Sequence, residues 1–304
     1  MKRHVLSLAL AASAAALLLA GCSTSATAGS TAPTGIPVVA STNVYGDLAA
    51  AIGGDLVSVT SIIDDPNKDP HEFQADAQNQ LALSKAQVVI ENGGGYDDFV
   101  DTMLSAADNG SATVLNVADI SGYDQNPATG SFNEHLWYDF PTVSKLVDSL
   151  VSTFSAADPG GASTFQANGD AAKQKLSALS AREADLATRH SGAGAAITEP
   201  VPLYLLTAAG LVDKTPEAFS AAVEGGTDAP ALVLQQTLGL FASHSVVLLG
   251  YNSQTGGPQS DAVVAAAQSA GVPAVPFTET LPAGLDYFAW MTQNVDAVAA
   301  ALGE

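Results

Sequence analysis

Residues 164–190 read TFQANGDAAKQKLSALSAREADLATRH, a stretch without proline. Phe165, Ala172, Leu176, Leu179 and Leu186 follow one another at spacings of seven, four, three and seven, which places them on one face of an α-helix. Asp158-Pro159-Gly160-Gly161 breaks the chain before this stretch, and Gly192 and Gly194 break it after. The pattern predicts a single long helix of roughly 25 residues in the linking segment 163–190, about 35–40 Å long at 1.5 Å per residue. A helix of that length either joins two lobes or lies on the surface of one, and the flanking sequence bears on which.

Before it, the β-branched apolar runs Ile36–Ser41, Val57–Ile63, Gln87–Asn92 and Ala112–Val117 alternate with helical patterns such as Val44–Ile52 and Ala77–Ala86. After it come Ala195–Glu199, Ser245–Tyr251 and Pro273–Thr278, again with helical patterns between. Strand–helix alternation points to parallel sheets covered by helices. The predicted fold is α/β: two lobes, 36–162 and 191–304, each with a central mainly parallel sheet flanked by helices, joined by one long rigid helix. No internal repeat of recognisable period is visible.

The composition narrows the function. Of 304 residues, 47% are hydrophobic and 13% charged, and ten basic residues stand against 31 acidic ones, a formal net charge of −21. Nucleic-acid binding requires clustered Lys and Arg to displace counterions from phosphate, and this chain has no such supply. One cysteine excludes a disulfide-stapled fold.

That cysteine belongs to the N-terminal address. Lys2 and Arg3 precede the apolar run Val5–Leu19, which ends in Leu19-Ala20-Gly21-Cys22. The pattern predicts a lipoprotein signal peptide over 1–21, with Cys22 as the lipidated first residue of the mature chain; a plain signal peptide is the alternative. Residues 22–35 are small and polar, a flexible tether with an r.m.s. reach of roughly 20 Å. No other apolar run is long enough to span a bilayer. The expected location is the outer face of a bacterial cell membrane, held by the lipid anchor.

Beyond the signal peptide there are four histidines. In open parallel sheets, ligands collect beyond the carboxyl ends of the strands. His71 follows the run 57–63 across Asp64–Pro70, and His135 follows 112–117 across a Gly/Asn/Pro-rich loop. In the second lobe, Glu199 ends the predicted strand 195–199 and Glu279 ends the predicted strand 273–278. Two imidazoles and two carboxylates at strand ends form a donor set for a divalent transition ion. His190 closes the long helix, where a cation suits the helix dipole, and His244 is read as structural.

These residues also carry a resemblance. Asp69-Pro70-His71-Glu72-Phe73, Asn133-Glu134-His135-Leu136-Trp137, Thr198-Glu199-Pro200 with Tyr204, Tyr251-Asn252-Ser253-Gln254 and Thr278-Glu279-Thr280-Leu281-Pro282 resemble the ordered landmarks of the cluster A-I metal-binding lipoproteins. These are the TroA/ZnuA-like zinc/manganese substrate-binding proteins of ABC importers. Val38–Asp47 and Asn92–Asp97 match the same family, and the likeness runs from about residue 36 to the C-terminus. It implies a metal ion held between two lobes and handed to an ABC transporter permease. His71 and His135 match the two histidine ligands of the first lobe, and Glu199 matches a third position that is His or carboxylate among members. Glu279 stands where many members have Asp. Zinc members with a long His-rich loop differ from this chain, whose segment 119–134 is short and contains no His.

The donor set suits Mn²⁺ or Zn²⁺ as bound cargo: carboxylate oxygen favours Mn²⁺, while the Irving–Williams order favours Zn²⁺. Four protein ligands would close the shell, consistent with carriage and not with catalysis. A zinc-dependent hydrolase is the competing enzyme reading, but no HExxH stands in the chain, and Asn92-Gly93-Gly94-Gly95 lacks the Lys-Ser/Thr of a phosphate loop. Two non-enzymatic readings compete as well: a surface adhesin, and a binder of an organic ligand or metal chelate. The expected partners are the permease, the divalent ion and the membrane, with no nucleic acid, and the chain is expected to be a monomer.

Overall fold

A computed structural model describes residues 35–65, 73 and 76–304. The signal peptide, most of the tether with Cys22, and His71 lie outside the described residues. In chain order the strands are β1 (Ile36–Thr42), β2 (Val57–Ile63), β3 (Val88–Glu91), β4 (Thr113–Asn116), β5 (Gly194–Ile197), β6 (Val212–Asp213), β7 (Leu248–Asn252) and β8 (Ala274–Phe277). The helices are α1 (Asn43–Gly53), α2 (Ala77–Leu83), α3 (Phe99–Ala106), α4 (Val117–Ser121), α5 (Phe140–Ala157) and α6 (Ala162–His190), then α7 (Leu203–Ala208), α8 (Glu217–Glu224), α9 (Ala231–Ala242), α10 (Pro258–Ser269) and α11 (Tyr287–Ala301).

The strands form two four-stranded parallel sheets, ordered β2-β1-β3-β4 and β6-β5-β7-β8. The two orders are the same when each lobe is numbered from its own first strand. The lobes therefore share a topology that no sequence period reveals. The short edge strand β6 has no counterpart in the predicted strands. Its two residues are both exposed, too few and too wet to leave an apolar run. Strands β5 and β8 end at Ile197 and Phe277, so Glu199 and Glu279 sit two residues past the ladders and not on their last positions.

Helix α6 runs for 29 residues and buries Phe165, Ala172, Leu176, Leu179 and Leu186, the face expected from the spacing. It packs on α1 and α5 of the first lobe and on α7 and α11 of the second. One hydrophobic cluster contains this stripe together with Val38 and Ile90 of the first sheet and Ile197 and Leu248 of the second. Smaller clusters cover the outer faces of the two sheets, around Val39 and Val89 in the first and Ala196 and Leu249 in the second. The chain from Thr34 to Glu304 is one compact unit. Among the described residues no helix is long and apolar enough to cross a membrane.

Polar contacts tie the segment after β8 to the first lobe. Asn43 Nδ2 donates to Leu281 O and Asn43 Oδ1 accepts from Leu281 N, each at 2.9 Å. Tyr138 donates to Thr278 O at 2.9 Å, and Tyr287 to Trp137 O at 2.6 Å. Asp47 accepts from Tyr287 N at 2.8 Å, at the start of α11. His190, the last residue of α6, bonds Glu304 Oε1 at 3.1 Å, which ties the C-terminus to the linking helix.

One charged residue interrupts the buried face of α6. Glu183 is 3% exposed, and its Oε1 has no hydrogen-bond partner among the described residues. Burial, with a smaller push from Asp139, raises its carboxyl from 4.5 to about 8. Between those values the unfolded chain releases a proton that the folded chain retains, so stability contributed by this site falls as pH rises from about 4.5 to about 8. E183Q is expected to flatten that part of the stability-versus-pH curve, measured by urea unfolding at half-unit pH steps.

Candidate metal centre

The first lobe builds its side of the site on a tight turn. After β3 the chain turns through Gly93, Gly94 and Gly95 at φ of +71°, +67° and +95°. A Cβ on Gly93 would lie 2.4 Å from the Asn116 amide, so only glycine fits. Asp97 closes the turn by accepting from Asn92 N at 2.7 Å and Gly93 N at 2.8 Å. This fixes Tyr96, whose hydroxyl reaches Glu279 Oε2 at 3.3 Å. Burial, reinforced by the Glu279 charge, holds the Tyr96 phenol well above its usual range. It therefore stays protonated and can donate.

His135 is wholly buried, with Trp137 and Tyr96 against its ring at centroid distances of 5.2 and 6.2 Å. Its Nδ1 lies 2.7 Å from Asn133 Oδ1. The oxygen only accepts, so Nδ1 carries a proton and Nε2 is the ring nitrogen that could bind a metal. Asn133 is itself clamped by the second lobe. Its Nδ2 donates to Pro200 O at 3.1 Å, and its carbonyl accepts from Tyr204 Oη at 2.8 Å.

The second lobe brings two acids together. Glu199 is 2% exposed and Glu279 1%. Asn252, the last residue of β7, donates Nδ2 to Glu199 Oε2 at 2.9 Å and to Glu279 Oε1 at 2.7 Å. Thr255 donates to the other oxygen of Glu199. Gln254 Oε1 accepts from Glu279 N at 2.5 Å and Thr280 N at 3.1 Å, which shapes the loop carrying Glu279. Two like charges beside each other and out of water are costly unless a cation or hydrogen bonds offset them.

Of the four sequence-predicted ligands, the structure brings Glu199 and Glu279 to one amide, places His135 beside Tyr96, which touches Glu279, and does not describe His71. It also places beside His135 two acids that the sequence pattern does not single out as ligands: ligand atoms of Glu134, His135 and Glu224 all lie within 4.8 Å of one another. Asn133 and Asn252 stand inside the family-like motifs, but no sequence signal marks the amides as the groups that orient the ligands. Trp137 packs against the imidazole, as its place in the motif suggests.

The family model described as zinc-uptake complex component A, periplasmic, matches residues 38–301. The chain belongs to this family. The manganese-binding lipoprotein MntA of Bacillus subtilis (strain 168) is 30% identical over 167 residues, 54% of this chain and 54% of that protein. The manganese-binding lipoprotein MntA of Halalkalibacterium halodurans is 27% identical over 172 residues, with 54% of each covered. The chain thus spans about half the length of the curated relatives it matches. Among solved structures, the periplasmic zinc binding protein TroA from Treponema pallidum aligns with a TM-score of 0.73 at 22% identity, over 87% of this chain and 98% of that one. The family shares the two-lobed α/β fold seen here.

Asn252 is the clearest handle on the two acids. N252A removes both of its hydrogen bonds to the buried carboxylates, and hydrogen bonds to charged groups contribute about 1.5–3 kcal/mol. The metal-free variant is expected to lose stability of that order, read from the urea midpoint at pH 7.

Proposed function

We infer that this protein captures a divalent transition metal, Mn²⁺ or Zn²⁺, between its lobes and delivers it to an ABC importer. The ligands are His71, His135, Glu199 and Glu279. In this reading residues 1–21 are the signal peptide, Cys22 carries the lipid and 22–35 are the tether. The lobes 36–162 and 191–304, joined by 163–190, act as a monomer at the outer face of the membrane. The protein works by binding and release and is not an enzyme.

The observation that carries the reading is the pair of buried carboxylates, Glu199 and Glu279, held on one amide while Tyr96 of the other lobe touches one of them. A dication offsets both charges at once, and His135, with Nδ1 committed to Asn133, offers Nε2 as a nitrogen donor. The Asp-to-Glu difference at Glu279 is compatible with this, since its backbone N is held by Gln254 and its side chain by Asn252 and Tyr96. Family membership and the manganese-binding lipoproteins among its relatives favour the same cargo class.

The test is metal-dependent stabilisation. An ion at a thousand times its dissociation constant adds about 4 kcal/mol to folding, which raises the melting temperature of the wild-type chain. H135A is expected to abolish that rise for both Mn²⁺ and Zn²⁺, as is H71A. An undiminished rise in both variants would remove the histidines from the site.

A further inference from the structure

The second lobe offers a carboxylate beyond the four motif positions. Gly225 and Gly226, the latter at φ +64°, stop helix α8 and leave Glu224 as its last residue. Its side chain is 21% exposed, and its Oε1 lies 3.9 Å from His135 Nε2. Donors bound to one first-row ion stand about 2.0–2.2 Å from it, so donors on opposite sides lie about 4 Å apart. The His135–Glu224 separation has that span. Glu134 completes the group, with all three ligand atoms within 4.8 Å of one another.

Topology points the same way. Strand β6 holds the place in the second sheet that β2 holds in the first. In the sequence His71 comes after β2, and Glu224 comes after β6 by way of α8. Beside Glu224 lies a cavity of about 560 Å³, lined among others by Thr227, Asp228, Thr255 and Gln259. Asp228 is exposed at its rim, while Thr255 donates inward to Glu199. One cavity therefore borders Glu224 and the hydrogen-bond partner of Glu199.

We propose that Glu224 is a further ligand to the divalent ion, receiving it from this cavity and raising the protein donor set above four. The proposal rests on the metal-binding function inferred above and deepens it. Zn²⁺ is satisfied by four donors in a tetrahedron, whereas Mn²⁺ takes a larger, oxygen-rich shell. An added carboxylate therefore works in favour of Mn²⁺.

Titration of metal-free full chain with Mn²⁺ and, separately, with Zn²⁺ tests this in wild type, E224Q, E224D, E217Q and H135A. E224Q keeps the size of the side chain and removes its charge. It is expected to weaken Mn²⁺ binding at least tenfold and Zn²⁺ binding less than threefold, with slower Mn²⁺ association. E224D should recover part of the loss, and E217Q, at the exposed far end of the same helix, should match wild type. Unchanged Mn²⁺ affinity in E224Q, with binding still abolished in H135A, overturns the ligand role and leaves the metal-binding function standing. Equal weakening of both ions, together with a lower melting temperature of metal-free E224Q, assigns Glu224 to holding His135 in place and also overturns it. Failure of the wild type to bind either ion overturns both readings.

Discussion

The apolar stripe of α6 is the constraint on which the rest of the molecule depends. Leu176, Leu179 and Leu186 lie in the same buried cluster as residues of both sheets. Pulling the lobes apart along that helix would expose a shared core, at a cost of roughly 25 cal/mol for each Å² of apolar surface wetted. The lobes are therefore held in one relation, and the loops that follow their strands meet. Asn43 follows β1 and binds Leu281, which follows β8, while Asn133 follows β4 and binds Pro200, which follows β5. Every one of these contacts lies beyond a strand's carboxyl end, where open parallel sheets collect their ligands.

Within that cleft the chemistry is governed by charge without water. Glu199 and Glu279 are buried side by side, and the nearby donors are an amide, a hydroxyl and a phenol. These groups direct the carboxylates and fix where their oxygens lie. Across the cleft, the side-chain Oδ1 of Asn133 holds a proton on His135 Nδ1. His135 of the first lobe and the two glutamates of the second are each hydrogen-bonded by an asparagine, Asn133 and Asn252.

Much of this was legible in the chain. The spacing from Phe165 to Leu186 marks a helix because burial on one face demands that period. The runs at 36–41 and 57–63 mark strands because β-branched residues pack well in sheets. His135, Glu199 and Glu279 could be singled out because loops after parallel strands carry ligands, and because their surrounding motifs resemble those of a known family. Strand β6 escaped since two exposed residues leave no pattern. Glu224 escaped because a glutamate at a helix end beside two glycines reads as a solvated cap, and its approach to His135 spans 89 positions of chain.

The sequence by itself determined the strands other than β6 and the long helix α6, which residue types could hold a cation, and that the family is one of metal carriers, since all of these depend on local pattern and ordered motifs. Only the tertiary structure decided that Asn252 joins Glu199 to Glu279, that Asn133 is clamped by the second lobe while it orients His135, and that the Glu224 side chain at the end of α8 brings Oε1 to 3.9 Å from His135 Nε2. The reason is physical: hydrogen bonds and ligand distances are set to tenths of an ångström by packing between elements remote in the chain, and no local pattern encodes that packing.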